Sequence, residues 1–261
     1  MKPIIKYQGG KTRELPLIEG LRPQRFERVL EPFCGGAAVS FFYRYPSVLN
    51  DLNVSLINLY EVVKGEEFPS LLHKVLQTKE MDHDELEKVY YHSRDLINSE
   101  GGSALERAYA FIVIKQLAFS GMERYNSEGK FNVPFGHYKR FSCGLSPDHH
   151  EFLKGCDVSC GDAIEVLKSS VEGDFIFLDP PYLDRLGYES GDGGEMHIRL
   201  VEAMRECRGQ WLFIHSDHEF YREELKDFVW YEKEFKYAQN FGKGKDHSGS
   251  KVNHIYVRNY D

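Results

Sequence analysis

Short apolar runs that end in turn residues alternate with stretches of helical spacing, and this alternation predicts the organisation of the chain. Residues 28–33, Arg-Val-Leu-Glu-Pro-Phe, read as a short buried strand stopped by a proline, and 34–39, Cys-Gly-Gly-Ala-Ala-Val, as a turn into a helix. Residues 48–51 read as a second short strand ending on a carboxylate, followed by a helix through about Tyr60. This is the opening of an α/β unit. From 86 to 119 the apolar residues recur at helical spacing, with Gly101 and Gly102 separating two helices. The polar segment 120–137 reads as an exposed structured loop rather than a core element. Strand patterns return at 158–160, 174–178 and 211–215, with helices over 163–167 and 195–207, and a terminal strand alternates over 251–258. The expected organisation is an α/β core in two pieces, 1–60 and 150–261, around a mostly helical insertion at 61–149.

Composition narrows the class. With 261 residues, 41% hydrophobic and 28% charged, the chain has the makeup of a folded enzyme-sized protein rather than a disordered one. The formal charge of -8 excludes a uniformly basic nucleic-acid coat but not a local basic groove. Five cysteines without a CxxC pair, and no early signal-peptide pattern, fit a reducing cytoplasm. Cys156 and Cys160 lack the partners that would complete a zinc site, so no metal is expected. The longest apolar runs are too short to cross a bilayer, so no membrane is expected as partner.

Candidate chemistry gathers at the predicted strand ends. Glu31, Pro32, Phe33, Cys34, Gly35 and Gly36 follow the first strand, where glycines let a ligand approach the backbone and where open α/β sheets bind ligands. A tight turn without a ligand is the other reading. Gly9-Gly10-Lys11-Thr12 lacks the earlier glycine of a P-loop, which favours a nucleoside cofactor without a phosphate chain over ATP or NAD. Asp51 suits ribose hydroxyls or the start of the next helix, and Asp162 an adenine amino group or a helix cap. Tyr7 and Lys11 stand where they could fold over the ligand-bearing end of the first strand, or else serve as a packed ring and a surface charge.

Residues 174–178 drive a buried strand into Asp179-Pro180-Pro181-Tyr182. The prolines preset their φ angles, so Asp179 and the Pro180 carbonyl can act as two acceptors for one exocyclic amino group while Tyr182 stacks on its base. Here the chain resembles the Dam-like (D12 class) N6-adenine DNA methyltransferases and their phage relatives. Tyr7-Gln8-Gly9-Gly10-Lys11 is similar to the family's N-terminal cofactor motif, and residues 31–36 to its S-adenosylmethionine motif. Asn50-Asp51-Leu52-Asn53 is similar to its ribose-side segment, and residues 179–182 to its catalytic motif. The motifs occur in the family's order, with target recognition inserted before the catalytic strand.

The resemblance implies a Rossmann-like methyltransferase sheet with a DNA target-recognition insertion. It implies transfer of the methyl group of S-adenosylmethionine to N6 of a flipped adenine in double-stranded DNA, GATC being the first target to consider, leaving S-adenosylhomocysteine. Asp179, Pro180 and Tyr182 carry the acceptor role. Tyr7, Gln8, Gly9, Gly10, Lys11, Glu31, Pro32, Phe33, Cys34, Gly35, Asp51, Asp162 and Asp179 carry the cofactor side. Residues 119–126 and 129–136 resemble the family's DNA-reading hairpin and loop. There Phe119 is a wedge or a helix-end core residue, and Arg124 a guanine reader or a phosphate contact. Met122 and Pro134 are apolar groove contacts, and Ser120, Asn126, Asn132, His137 and Lys139 complete the DNA side, Asn126 and Asn132 mainly by shaping the loop. His137 stands where relatives often carry arginine.

Beyond Tyr182 the match weakens. Residues 183–195 are a lid or a solvent-facing connection, and the lysine-bearing loop with Lys243 and Lys245 is a backbone clamp on DNA or an ordinary surface loop. His215-Ser216-Asp217-His218 does not form a complete metal or hydrolase site, and a strand exit accounts for it. An amino-group methyltransferase acting on RNA or protein, and a catalytically silent DNA-binding relative, are the alternatives. The protein is expected to be a cytoplasmic monomer, in a bacterial cell or a phage-infected host. Pairing on DNA and a restriction-modification role stay open.

Overall fold

A computed structural model describes residues 1–183, 192–237 and 250–261. Among them are seven strands and ten α-helices, distributed over two compact units. The first unit comprises Met1–Leu15 and Cys34–Cys160, and the second Pro16–Phe33 and Gly161–Asp261.

In the second unit, β1 (Arg28–Glu31), β4 (Asp174–Leu178), β5 (Gln210–Ser216), β7 (Ser250–Arg258) and β6 (Val229–Tyr237) lie side by side in that order. β1, β4 and β5 are parallel, with Val29 opposite Phe175 and Ile176 opposite Trp211. β7 runs antiparallel to both β5 and β6. Every residue of β4 is buried, which is why its sequence, Asp-Phe-Ile-Phe-Leu, reads as a continuous apolar run after its first residue. That first residue, Asp174, is held by the Arg28 guanidinium through two hydrogen bonds of 2.9 and 2.8 Å, and it also accepts the Val171 amide. The ion pair fixes the register of β1 against β4. Helices α1 (Leu15–Leu21), α8 (Ala163–Lys168), α9 (Asp192–Glu206) and α10 (Glu219–Glu224) complete this unit apart from Leu15.

The first unit pairs β2 (Ser47–Asn50) in parallel with β3 (Asp157–Ser159) and contains α2 (Ala38–Tyr43), α3 (Val54–Lys64), α4 (Phe68–Lys79), α5 (His83–Ile97), α6 (Ala104–Leu117) and α7 (Pro147–Lys154). Capping boxes start α5 at Asp82 with Glu85 and α6 at Ser103 with Glu106, so the two helices separated at Gly101 and Gly102 are locally encoded. α6 is buried along most of its length and packs against α3 and α5.

Two sequence expectations need correction. β1 ends at Glu31, two residues before the end of the predicted strand, because the turn begins at Pro32, which has no amide to continue a ladder. The segment 120–137 is not wholly an exposed loop. Phe131, Val133 and Phe135 alternate into the core, each no more than 3% exposed, and Tyr90 donates its hydroxyl to the Val133 carbonyl at 2.8 Å. Period-two burial inside a polar stretch makes it half loop and half core.

Replacing Asp174 with Ala should leave the Arg28 guanidinium without its buried partner and lower the unfolding free energy by about 3 kcal/mol. Lys154→Ala, which breaks an exposed pair with Glu151, should leave the urea unfolding midpoint nearly unchanged, whereas Asp174→Ala should lower it clearly.

Candidate active site

The acceptor motif follows directly from β4. Asp179 is half-buried, Pro180 buried, Pro181 exposed and Tyr182 half-buried. Two histidines, one on β5 and one on β7, hold the end of this turn. His215 of β5, fully buried, accepts the Leu183 amide on Nε2 at 3.2 Å, while its Nδ1 lies 2.8 Å from the Ser216 carbonyl. Accepting on Nε2 assigns the proton to Nδ1, so the ring is neutral and bonded on both sides. His254 of β7, also fully buried, shares a 3.0 Å hydrogen bond with the Tyr182 hydroxyl. The Tyr182 ring centre lies 4.9 Å from that of His215 and 5.9 Å from that of His254. The tyrosine is therefore held at its hydroxyl end and along its ring.

The glycine-rich corner of the first unit is set by Asp51. One carboxylate oxygen accepts the Gly35 amide and the other the Asn53 amide, both at 2.9 Å. Asp51 does not itself cap the next helix. Asn53 does, accepting the Leu56 amide. Gly35 has φ +45°, and a Cβ there would stand 3.0 and 3.1 Å from two carbons of the Tyr7 ring. Its carbonyl accepts the Tyr60 hydroxyl at 2.7 Å. Cys34 is buried and its amide donates to the Asn50 carbonyl. In the N-terminal turn, Gly10 donates its amide to the Tyr7 carbonyl, Gly9 has φ +80°, and Gln8, Gly9 and Gly10 are exposed. Lys11, 4% exposed, is no surface charge, and its ammonium donates to the Gly9 carbonyl at 2.8 Å. The Asp51 carboxylate, with two of its lone pairs used by amides, retains capacity to accept from a diol, and the glycine cradle presents backbone rather than side chains. This donor and acceptor set fits a nucleoside cofactor.

A family model for the D12 class N6 adenine-specific DNA methyltransferases matches residues 7–239. The chain belongs to this family. It is 31% identical over its whole length to the Type II methyltransferase M.CviBI of Paramecium bursaria Chlorella virus NC1A, all of which is covered. It is 30% identical over its whole length to the Type II methyltransferase M1.LlaDCHI of Lactococcus lactis subsp. cremoris, covering 96% of that protein. A DNA adenine methylase of Haemophilus influenzae (strain ATCC 51907 / DSM 11121 / KW20 / Rd) is 30% identical over 69% of this chain and 64% of its own length. The protein is thus a DNA adenine methyltransferase whose family uses S-adenosylmethionine, and its mixed α/β architecture is consistent with that fold. Among the described residues no helix is long and apolar enough to cross a membrane.

The remaining candidate residues of this methyltransferase divide by location. Glu31 is buried at the end of β1, followed by buried Pro32 and half-buried Phe33. Asp162 caps α8 by accepting the Ile164 amide, and its other oxygen pairs with Arg199 at 2.7 Å. The cap bond first, and then Arg199, hold its carboxyl below the ordinary range. In the hairpin, Phe119 is 44% exposed at the end of α6, and Ser120, Arg124, Asn126, Pro134, His137 and Lys139 are exposed, while Met122 packs partly on the core. Arg124 is held by Asn132 through two hydrogen bonds, at 2.8 Å from the side-chain oxygen and 3.2 Å from the carbonyl, which leaves its NH1 group for a ligand. Asn126 accepts the Glu128 and Lys130 amides and so shapes the loop. Asp217 pairs with Arg222 and His218 caps α10, so those two residues serve the strand exit. Lys243 and Lys245, and most of 183–195, lie outside the described residues.

Gly35→Ala should lower stability by about 1–2 kcal/mol, from left-handed strain alone, with the contact to Tyr7 adding to it. Urea midpoints of Gly35→Ala and of Gly35→Ala/Tyr7→Ala separate the two contributions. His197 of α9, fully buried, has a pKa lowered to about 4, chiefly by burial. The unfolded chain therefore takes up this proton first, and the contribution present above about pH 6.5 is lost as the pH falls toward 4. Burial also lowers His149, which acts in the same direction. The His197→Asn variant should show a shallower loss of unfolding free energy across that window than the native protein, measured by denaturant titration.

Proposed function

We propose that the chain transfers the methyl group of S-adenosylmethionine to N6 of an adenine flipped out of double-stranded DNA, within a short specific sequence, with GATC the first to test. The observation that carries this reading is the Asp179-Pro180-Pro181-Tyr182 turn, a half-buried carboxylate and a proline carbonyl ahead of a ring held by His215 and His254. Bound S-adenosylmethionine supplies a methyl group on a sulfonium and leaves as S-adenosylhomocysteine.

The chain's own residues orient the acceptor. Asp179 and the Pro180 carbonyl accept the two amino hydrogens, which turns the nitrogen lone pair toward the methyl carbon for in-line displacement and stabilises the positive charge that develops on nitrogen. Asp179 acts here as an orienting acceptor rather than a strong base, and the proton on the methylated nitrogen is released to water after the transfer. Tyr182 stacks on the flipped adenine. On the cofactor side Asp51 takes the ribose hydroxyls and Asp162 the adenine amino group, and Tyr7, Gln8, Gly9, Gly10, Lys11, Glu31, Pro32, Phe33, Cys34 and Gly35 are the further cofactor residues. Residues 61–149 form the target-recognition insertion between core pieces 1–60 and 150–261. In it Phe119 wedges into the duplex and Arg124, pre-oriented by Asn132, reads guanine. Met122 and Pro134 make groove contacts, and Ser120, Asn126, Asn132, His137 and Lys139, with Lys243 and Lys245, complete the DNA side.

The test is incubation of the full chain with labelled S-adenosylmethionine and a randomised duplex pool, followed by mapping of methylated adenines at base resolution. One short adenine-containing sequence should be modified. Asp179→Ala should slow transfer by roughly 10²-fold or more while remaining folded, and Arg124→Ala should relax preference at one position by about 1–3 kcal/mol. Near-native transfer by Asp179→Ala, or label entering only RNA or protein, would contradict the reading.

A further inference from the structure

Helix α6 carries a cation that the methyl-transfer chemistry does not use. Lys115 lies in its last turn yet is 8% exposed. Its ammonium stands 4.4 Å from the centre of the Tyr7 ring and 5.3 Å from that of Phe111. It also forms an ion pair with Glu123, whose other carboxylate oxygen accepts the Tyr125 hydroxyl at 2.9 Å. Glu123 and Tyr125 belong to the hairpin that carries Arg124. Tyr7 in turn lies over Gly35.

A buried ammonium is costly unless an anion or a ring face meets it. Here the two requirements are met by different segments, the carboxylate by the hairpin and the ring by the N-terminal cofactor motif. Displacing Glu123 leaves the lysine charge without its anion, and displacing Tyr7 removes the nearer of its two π faces. The position of each segment therefore enters the energy of the other.

We propose that Lys115 and Glu123 are positioning residues that couple the hairpin to Tyr7, so that target duplex raises the affinity for the cofactor and the cofactor raises the affinity for target duplex by the same factor. This rests on the reading of Tyr7 as a cofactor contact and of the hairpin as a DNA contact.

The test compares the affinity of the full chain for S-adenosylhomocysteine by titration calorimetry, alone and saturated with a short duplex containing the sequence found to be methylated. The native protein should gain roughly 5-fold or more on adding duplex, the lower bound of ordinary coupling. Glu123→Gln should reduce the gain to less than about 2-fold, as should the double variant Lys115→Met/Glu123→Leu, which removes the buried ammonium and its anion together, whereas Lys115→Arg should retain it. A merely structural role would lower stability, or weaken both affinities, without changing their dependence on each other. An undiminished gain in folded Glu123→Gln or in the double variant, or no gain in the native protein, overturns the coupling. Failure of the native protein to bind S-adenosylhomocysteine at all contradicts the methyltransferase reading and the coupling with it.

Discussion

Backbone polarity at the carboxyl ends of buried strands constrains the functional loops of this protein. A strand that runs through the core delivers its last amides and carbonyls to a point where no ladder continues, and each must find a partner. After β2 the partner is Asp51, which gathers the amides of Gly35 and Asn53. After β4 it is His215, which accepts the Leu183 amide beyond two prolines that have none to offer. The residues that satisfy these ends are among, or lie beside, those of the proposed methyl-transfer site.

Satisfaction of this kind also fixes geometry before any ligand arrives. Gly35 is locked by Asp51 through its amide, by Tyr60 through its carbonyl and by Tyr7 over its Cα face, so the glycine cradle keeps its shape through three separate contacts. Tyr182 is held by two buried histidines from β5 and β7. Holding a ring through buried, hydrogen-bonded partners limits the conformational freedom lost when a base stacks on it. The same logic orients Arg124, whose guanidinium is clamped by Asn132 on an otherwise exposed hairpin.

The parts of this arrangement that were legible in the sequence are those encoded locally. The β4 run into Asp179-Pro180-Pro181-Tyr182, the β2 run into Asp51 and the separation of α5 from α6 at Gly101 and Gly102 each depend on neighbours a few residues away. What was hidden depends on distant partners. His254 reaches Tyr182 across 72 positions, and nothing around His254 distinguishes it from any inward residue of a terminal strand. Lys115 looks like an ordinary last-turn helix cation until the hairpin supplies Glu123 and the N-terminus supplies Tyr7. β6 was missed because its charged residues mask the alternation, and the buried face of the hairpin because three apolar residues at period two lie in a polar stretch. Asp51 was found, but whether it caps a helix or clamps a glycine loop is a question of geometry that spacing does not answer.

The account centres on an amino group held by the turn after β4 and methylated there. Its most direct measurement is the stoichiometry of product during the first turnovers on duplex DNA, with nucleosides and S-adenosylhomocysteine both quantified by mass spectrometry. The account predicts one N6-methyl-2′-deoxyadenosine for every S-adenosylhomocysteine released and no methylated cytosine. Release of S-adenosylhomocysteine without methylated adenine, or methyl groups on another base, would contradict it.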